Sequence, residues 1–235
     1  MLTFKLLGLL LTYPSEGLQE HMNEVKVALE QDGLLPVKTQ RALFEFMDDL
    51  ARRNLMRVQE EYVALFDRGR AHSLYLFEHI HGESRDRGQA MVDLSDHYIS
   101  KGVTLSANEL PDYLPLFLEF LSQIDFEEAQ ELLGETVHII AGIGAKLKAK
   151  KEGYHQVFRA LEALSTVKVD EKFLEQAVSE AAAEDTSNEA LDQEWEDAPA
   201  FDGAGQSASD CNSCPSATRH PLNSPQAGHS PAASH

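Results

Sequence analysis

Thiols are almost missing from this chain of 235 residues: its two cysteines, Cys211 and Cys214, both fall near the C-terminus. The part expected to fold therefore has no disulfide framework available, which fits a reducing compartment. Cations are scarce too, 20 Lys and Arg against 39 Asp and Glu, for a formal net charge of −19. Such a field repels nucleic acid and anionic membranes, which are usually met by basic patches, and it suits a basic partner. No apolar run approaches the roughly 20 residues that a bilayer span requires. The most continuous one, Leu6 to Leu11, stops at Tyr13-Pro14. One lysine precedes it and no small-x-small cleavage site follows, so it reads as a buried first helix, with no membrane insertion. A sustained period of two, hairpin dipeptides between apolar runs and internal repeats are also missing, which argues against a sheet.

Hydrophobic residues make up 43% of the chain, enough to bury a core. They recur at helical spacing. Ala42, Leu43, Phe46, Met47 and Leu50 form one stripe, and Tyr62, Leu65 and Phe66 another. Ala90, Met91, Leu94 and Tyr98 line a third, and Leu114, Phe117, Leu118 and Leu121 a fourth. A long fifth runs from Ala129 through Leu133, Ile140 and Ile143 to Leu147; Tyr154, Val157, Phe158, Leu161 and Leu164 form a sixth. The expected fold is all-α, a single helical bundle over residues 1–197. Acids dominate from Glu184 to Asp202 around the only tryptophan, Trp195. After Phe201 almost no apolar residue remains, so residues 198–235 are expected to be a disordered tail.

Punctuation sets the limits. Pro14, Pro36 and Pro111 each precede a periodic segment. Asp112 is expected to cap the helix after it, with Pro115 in its first turn. Gly102 is expected to close the helix before it as a left-handed cap. Gly142 and Gly144 lie inside the long helix at a cost of about 1 kcal/mol each. Close helix contact is the expected reason for both.

The densest polar constellation runs from Phe66-Asp67-Arg68-Gly69-Arg70 through Leu74-Tyr75-Leu76-Phe77-Glu78-His79-Ile80-His81 to Gly82-Glu83-Ser84-Arg85-Asp86-Arg87. Arginine forks match carboxylates, so the block supports two readings: an ion-pair network fixing a helix corner, or a recognition surface. Buried pairing is expected of Arg85 and Asp86, which open the helix of Ala90 and Tyr98. His79-x-His81 lacks a set of further ligands at metal-site spacing, and Cys211-x-x-Cys214 is only half a zinc site, so no metal or cofactor is assigned. No nucleophile elbow or phosphate loop surrounds Ser73 or Ser84, which leaves an enzyme with little support.

The block from Tyr62 to Leu94 resembles the nitrate reductase molybdenum-cofactor assembly chaperones, the NarJ or delta-subunit type. A second block, Glu109-Leu110-Pro111-Asp112-Tyr113-Leu114-Pro115-Leu116, is similar to the same family, as are Leu9-Leu10 to Tyr13-Pro14 and Ala190-Leu191-Asp192 before Trp195. The wider group usually ends the second block in histidine, where this chain has Tyr113. The resemblance implies a non-catalytic cytoplasmic chaperone. It would bind the apo form of the catalytic α subunit of respiratory nitrate reductase at its N-terminal, leader-like segment. It would hold that subunit for molybdenum-cofactor insertion before membrane attachment. The alternative is the same role for another molybdoenzyme of the group. On this reading Phe66, Leu74, Tyr75 and Phe77 line an apolar trough, and Asp67, Glu78 and Glu83 meet basic residues of the leader. Arg70, His79 and His81 belong to the same candidate set; Arg85, Asp86, Arg87, Glu109, Pro111 and Asp112 are its structural frame.

Overall fold

The computed structural model describes residues 1–80, 85–104 and 109–183, without the side chains of residues 85, 182 and 183. Among these residues are ten α-helices: α1 (Leu2–Leu10), α2 (Glu16–Glu20), α3 (Met22–Asp32), α4 (Val37–Arg52), α5 (Leu55–Phe66), α6 (Arg85–Ser100), α7 (Leu114–Leu121), α8 (Phe126–Ala149), α9 (His155–Leu164) and α10 (Glu171–Ala183). Two 3-10 turns, Arg70–His72 and Leu76–Glu78, lie between α5 and α6. Among the described residues there is no strand, only a single antiparallel bridge between Tyr75 and Tyr113. The chain is all-α, as expected. No helix among the described residues is long and apolar enough to cross a membrane.

The apolar first segment forms α1, and Phe4, Leu7 and Leu10 are fully buried. α1 seats on α7, whose Leu114, Leu118 and Leu121 are equally buried. α8 and α9 form a helical hairpin, α9 packs against α4, and α10 lies along α8. Each stripe read from the sequence faces this core, except that α6 buries only Tyr98 completely. The side-chain caps agree with helix chemistry: Ser15 Oγ accepts from Leu18 N–H at 3.2 Å and Asn54 Oδ1 from Arg57 N–H at 3.3 Å.

Gly102 ends α6 at φ +80°. Its N–H bonds to Ile99 O at 2.9 Å, and Val103 N–H reaches back to Tyr98 O at 3.0 Å, a Schellman closure. α8 ends in the same pattern, with Lys151 N–H on Lys148 O and Glu152 N–H on Leu147 O. There the left-handed residue is Lys151, at φ +63°, where glycine would be unstrained. Close contact explains Gly144, since a Cβ there would stand 2.8 Å from Phe158 Cβ. It does not explain Gly142, where a Cβ would meet only the Phe173 ring at 3.9 Å.

Asp112 requires a second correction. It does not cap α7: Tyr113 occupies the N-cap position without a side-chain bond. The Asp112 carboxylate turns inward and is wholly buried. The helices α2, α3 and α10 lack a strong apolar stripe and were not read from the sequence. The acidic segment, Trp195, both cysteines and the tail boundary at residue 198 lie outside the described residues.

Candidate functional site

Two loops make one corner of the molecule. α5 stops at Phe66, and the chain then crosses the two 3-10 turns to His79. The second loop, Glu109 to Tyr113, leads into α7. Leu76 N–H donates to Asp112 O at 3.0 Å, and Leu114 N–H donates to Leu74 O at 2.8 Å. Asp112 Oδ2 accepts Phe77 N–H at 3.0 Å, so this carboxylate satisfies a backbone donor that no helix or strand would. The Tyr75 and Tyr113 rings lie together, centroids 5.3 Å apart and tilted by 36°. Tyr98 of α6 donates its hydroxyl to Pro111 O at 2.8 Å and ties the second loop to a third element. The two sequence blocks that carry the family resemblance, separated by residues 95–108, are therefore one stitched object.

Against this corner lies a cleft of about 340 Å³. Phe66, Asp67, Arg70, Tyr75 and Glu78, all expected site residues, line it with Arg68, Gly69 and Ser73. Asp67, Arg68 and Arg70 are exposed and Tyr75 and Glu78 half-buried. Glu78 accepts from Arg87 of α6 at 3.4 Å. Arg87 is thus the arginine of its triplet seen to brace the corner. Asp86 is exposed, which corrects the expectation that it forms a buried pair; the side chain of Arg85, with His81 and Glu83, lies outside the described residues. The open trough expected around Phe66, Leu74 and Phe77 is filled. Phe66 and Leu74 are 6% and 3% exposed and belong to the core, while Phe77 is half-buried.

Burial governs the electrostatics here. It pushes Asp112 above the ordinary carboxylate range, against the pull of the Phe77 N–H and the charge of Arg87. Asp112 Oδ1 is buried without a hydrogen-bond partner. His72 is brought down to about 4 by burial, then by Lys150, Lys146 and His79, and its Nε2 has no partner. His79 is also lowered by burial, partly offset by its Nε2 contact with Ser73 O at 2.9 Å. Burial raises Tyr75 and Tyr113.

Neither imidazole is poised as a base. His79 is tied to a backbone carbonyl and His72 is held neutral inside. Among the described residues no group of three or more His, Cys, Asp or Glu could hold a metal. The corner brings acids, arginines and the Tyr75 ring together on loops tied to each other by backbone hydrogen bonds. The sequence alone did not single out Arg68, Gly69 or Ser73 as lining residues, nor Tyr98 as the tie. Arg68 and Gly69 stood inside the block that was read. Tyr98 looked like one more residue of a core stripe.

The all-α body thus carries a charged cleft, lined also by Phe66 and Tyr75, at a stitched loop corner. The sequence profile of the nitrate reductase delta subunit family matches residues 32–160. The chain is 41% identical over 197 residues to the nitrate reductase molybdenum cofactor assembly chaperone NarJ of Escherichia coli (strain K12), covering 84% of this chain and 83% of that one. It is 39% identical over 197 residues to the probable nitrate reductase molybdenum cofactor assembly chaperone NarW of the same strain, covering 84% and 82%. To the probable NarJ chaperone of Bacillus subtilis (strain 168) it is 28% identical over 160 residues, covering 68% of this chain and 86% of that one. The chain belongs to the nitrate reductase delta subunit family. Its relatives are named as assembly chaperones, and like them it is not an enzyme.

Proposed function

We propose that this chain is a cytoplasmic, system-specific chaperone for the catalytic α subunit of respiratory nitrate reductase. It binds the apo form through the N-terminal, leader-like segment and holds it competent for molybdenum-cofactor insertion before membrane attachment. It needs no cofactor of its own. The observation that carries the reading is the cleft at the joined family blocks, where Asp67 and Glu78 stand beside Tyr75. A leader-like segment has the complementary make-up, basic residues followed by apolar ones. Apolar contact, worth about 25 cal/mol per Å² buried, supplies the affinity, and the acids set orientation and association rate.

A synthetic peptide from the N-terminus of the α subunit tests this by calorimetry with the full chain alone. Binding at low salt with a negative heat-capacity change is expected. It should weaken but persist near 1 M salt, where screening shortens to about 3 Å. Tyr75→Ala should lower affinity markedly and Glu78→Gln modestly. Leu74 is buried and is no probe of binding, because a charge there would unfold the corner. No binding by folded protein at high micromolar concentration would refute the nitrate reductase reading and turn attention to leaders of other molybdoenzymes.

A further inference from the structure

Arg87 stands where helix chemistry gives no reason for it. The inner face of α6 runs back through Tyr98, Leu94 and Met91 at helical spacing, and one turn further on it reaches Arg87. Tyr98 is fully buried and Leu94 packs on the core, so this face is turned to the bundle. An apolar side chain would continue it. A cation is also misplaced for the helix dipole, because Arg87 lies in the first turn of α6, at the end that carries partial positive charge. Asp86 in the same turn offsets this in part.

What explains Arg87 lies at the tip of its side chain. Its Nη2 donates to Glu78 Oε1 at 3.4 Å, joining α6 to the second 3-10 turn. The two side chains are 24% and 27% exposed, so water screens the pair only in part. The same charge bears on Asp112, drawing down a carboxyl that burial raises. Glu78 lines the loop-corner cleft and Arg87 does not. The guanidinium therefore meets Glu78 from the α6 side, and the carboxylate lies between an internal cation and the cleft. The bond is loose: charge-assisted N–H···O bonds close to about 2.7–2.9 Å, and a guanidinium fork can make two of them. Such a pair is readily exchanged. The far half of α6 is seated by other means. Tyr98 donates its hydroxyl to Pro111 O and tilts its ring on Phe120, centroids 4.4 Å apart, and Lys101 pairs with Glu128.

We propose that Arg87 is a built-in counter-ion, which holds the Glu78 carboxylate until a basic residue of the client displaces it. This rests on the leader-binding reading above and adds a threshold to it. Exchanging one cation for another at Glu78 is close to neutral, so a basic residue alone gains almost nothing there. A segment that also buries apolar surface against Tyr75 carries the exchange through. A chain with a net charge of −19 attracts basic segments of many kinds. Pairing the cleft's acid internally keeps that attraction from becoming binding and so separates the right segment from the wrong ones. Arg87 acts through Glu78 and is a positioning residue that sets specificity. Removing its charge raises affinity for basic segments.

The test is a calorimetric titration of full-length wild type and Arg87→Gln with two probes: the α-subunit N-terminal peptide, and a copy with its basic residues replaced by glutamine. Releasing a part-exposed pair sets the scale, about 1 kcal/mol at most or about fivefold at about 1.4 kcal/mol per tenfold. Arg87→Gln should therefore bind the basic peptide about two- to fivefold more tightly at low salt. The gain should vanish with the neutral copy, and again when Glu78→Gln is already present. Lys101→Gln, which removes the same charge from the far end of α6, should give no gain. Arg87→Met, which keeps the apolar stem of the side chain, repeats the measurement in case the glutamine variant folds poorly, and circular dichroism confirms the fold of each. A purely structural Arg87 would weaken binding when replaced. Unchanged or weaker affinity in both Arg87 variants overturns the inference and leaves the leader reading standing, as does an equal gain in Lys101→Gln or on the Glu78→Gln background. If neither wild type nor the Arg87 variants bind the basic peptide, the leader reading falls and this inference with it.

Discussion

Asp112 offers the sharpest test of how the corner is held. Replacing it with alanine removes the acceptor of Phe77 N–H, a bond of 3.0 Å inside a site with no exposure. An abandoned buried donor costs about 1–3 kcal/mol. Part of that is returned, because Oδ1 is buried without a partner and disappears with the side chain. The expected net loss is about 1–2 kcal/mol, or about 2–8 °C in melting temperature at about 2–4 °C per kcal/mol for a domain of this size. Asp112→Asn keeps the acceptor but cannot titrate, so its diagnostic is a slope. The folded state raises this carboxyl above its ordinary 3.8, so just above that value it carries more proton than the unfolded chain. Stability from this group is greatest below pH 3.8 and is lost as pH rises through the folded value. The stability of the Asn variant relative to wild type should therefore improve from about pH 3 upwards. Urea denaturation across pH measures the slope, and amide exchange at Phe77 measures the bond. Undiminished protection of Phe77 in Asp112→Ala, with a pH-independent difference for Asp112→Asn, would refute the reasoning.

His72 should act in the opposite sense: with its folded value near 4, its stabilisation is present above 6.5 and is lost as pH falls towards 4, by about 3 kcal/mol at most at about 1.4 kcal/mol per pH unit. His72→Phe should flatten that acid limb in denaturation curves, and an equally steep limb would count against the buried neutral imidazole. Gly144→Ala and Gly142→Ala should differ in sign. The first drives a methyl group against Phe158 Cβ and should destabilise by about 1–3 kcal/mol less the helix-propensity gain, whereas the second meets only ordinary contact and should gain up to about 1 kcal/mol. Matched denaturation midpoints for the two would show that the helix seam is looser than the distances imply. Lys151→Gly should stabilise the end of α8 by about 1 kcal/mol by relieving its left-handed backbone, and a lower midpoint would mean that the lysine side chain contributes more than the strain costs.

The helical stripes were legible because each buries one face at a period near 3.6, and a periodic pattern survives without knowledge of neighbours. α2 was not, because five residues with one buried leucine carry no period. α10 was not, because its apolar residues are mostly half-exposed along α8, leaving an acidic, alanine-rich face that reads equally as linker. Glycines inside α8 could be flagged from sequence, but only the position of Phe158 tells which of them is needed. At the site, the polar block around Phe66 to Glu78 was visible as composition. Its depth was not: hydrophobicity alone could not distinguish Leu74, which supports the loop from inside, from Tyr75, which faces the cleft.

Asp112 shows why such a reading fails where the chain satisfies itself over long range. Aspartate one residue ahead of a helix is a strong local signal for a cap, and local chemistry would be satisfied by it. The fold uses the carboxylate instead on Phe77 N–H, thirty-five residues away, and leaves the N-cap position to Tyr113. Tyr113 in turn pairs its ring with Tyr75 on the lip of the cleft. The tyrosine read as a departure from the wider group therefore packs against the proposed binding surface. An aromatic ring at 113 keeps Tyr75 in place by stacking, a task that does not depend on protonation. The charge that an imidazole would bring near pH 6.5 is absent, so on the proposed reading Asp67 and Glu78 would meet a basic segment without a competing cation from this position. In this chain the second block acts on the cleft through shape, and the first supplies the cleft's charges.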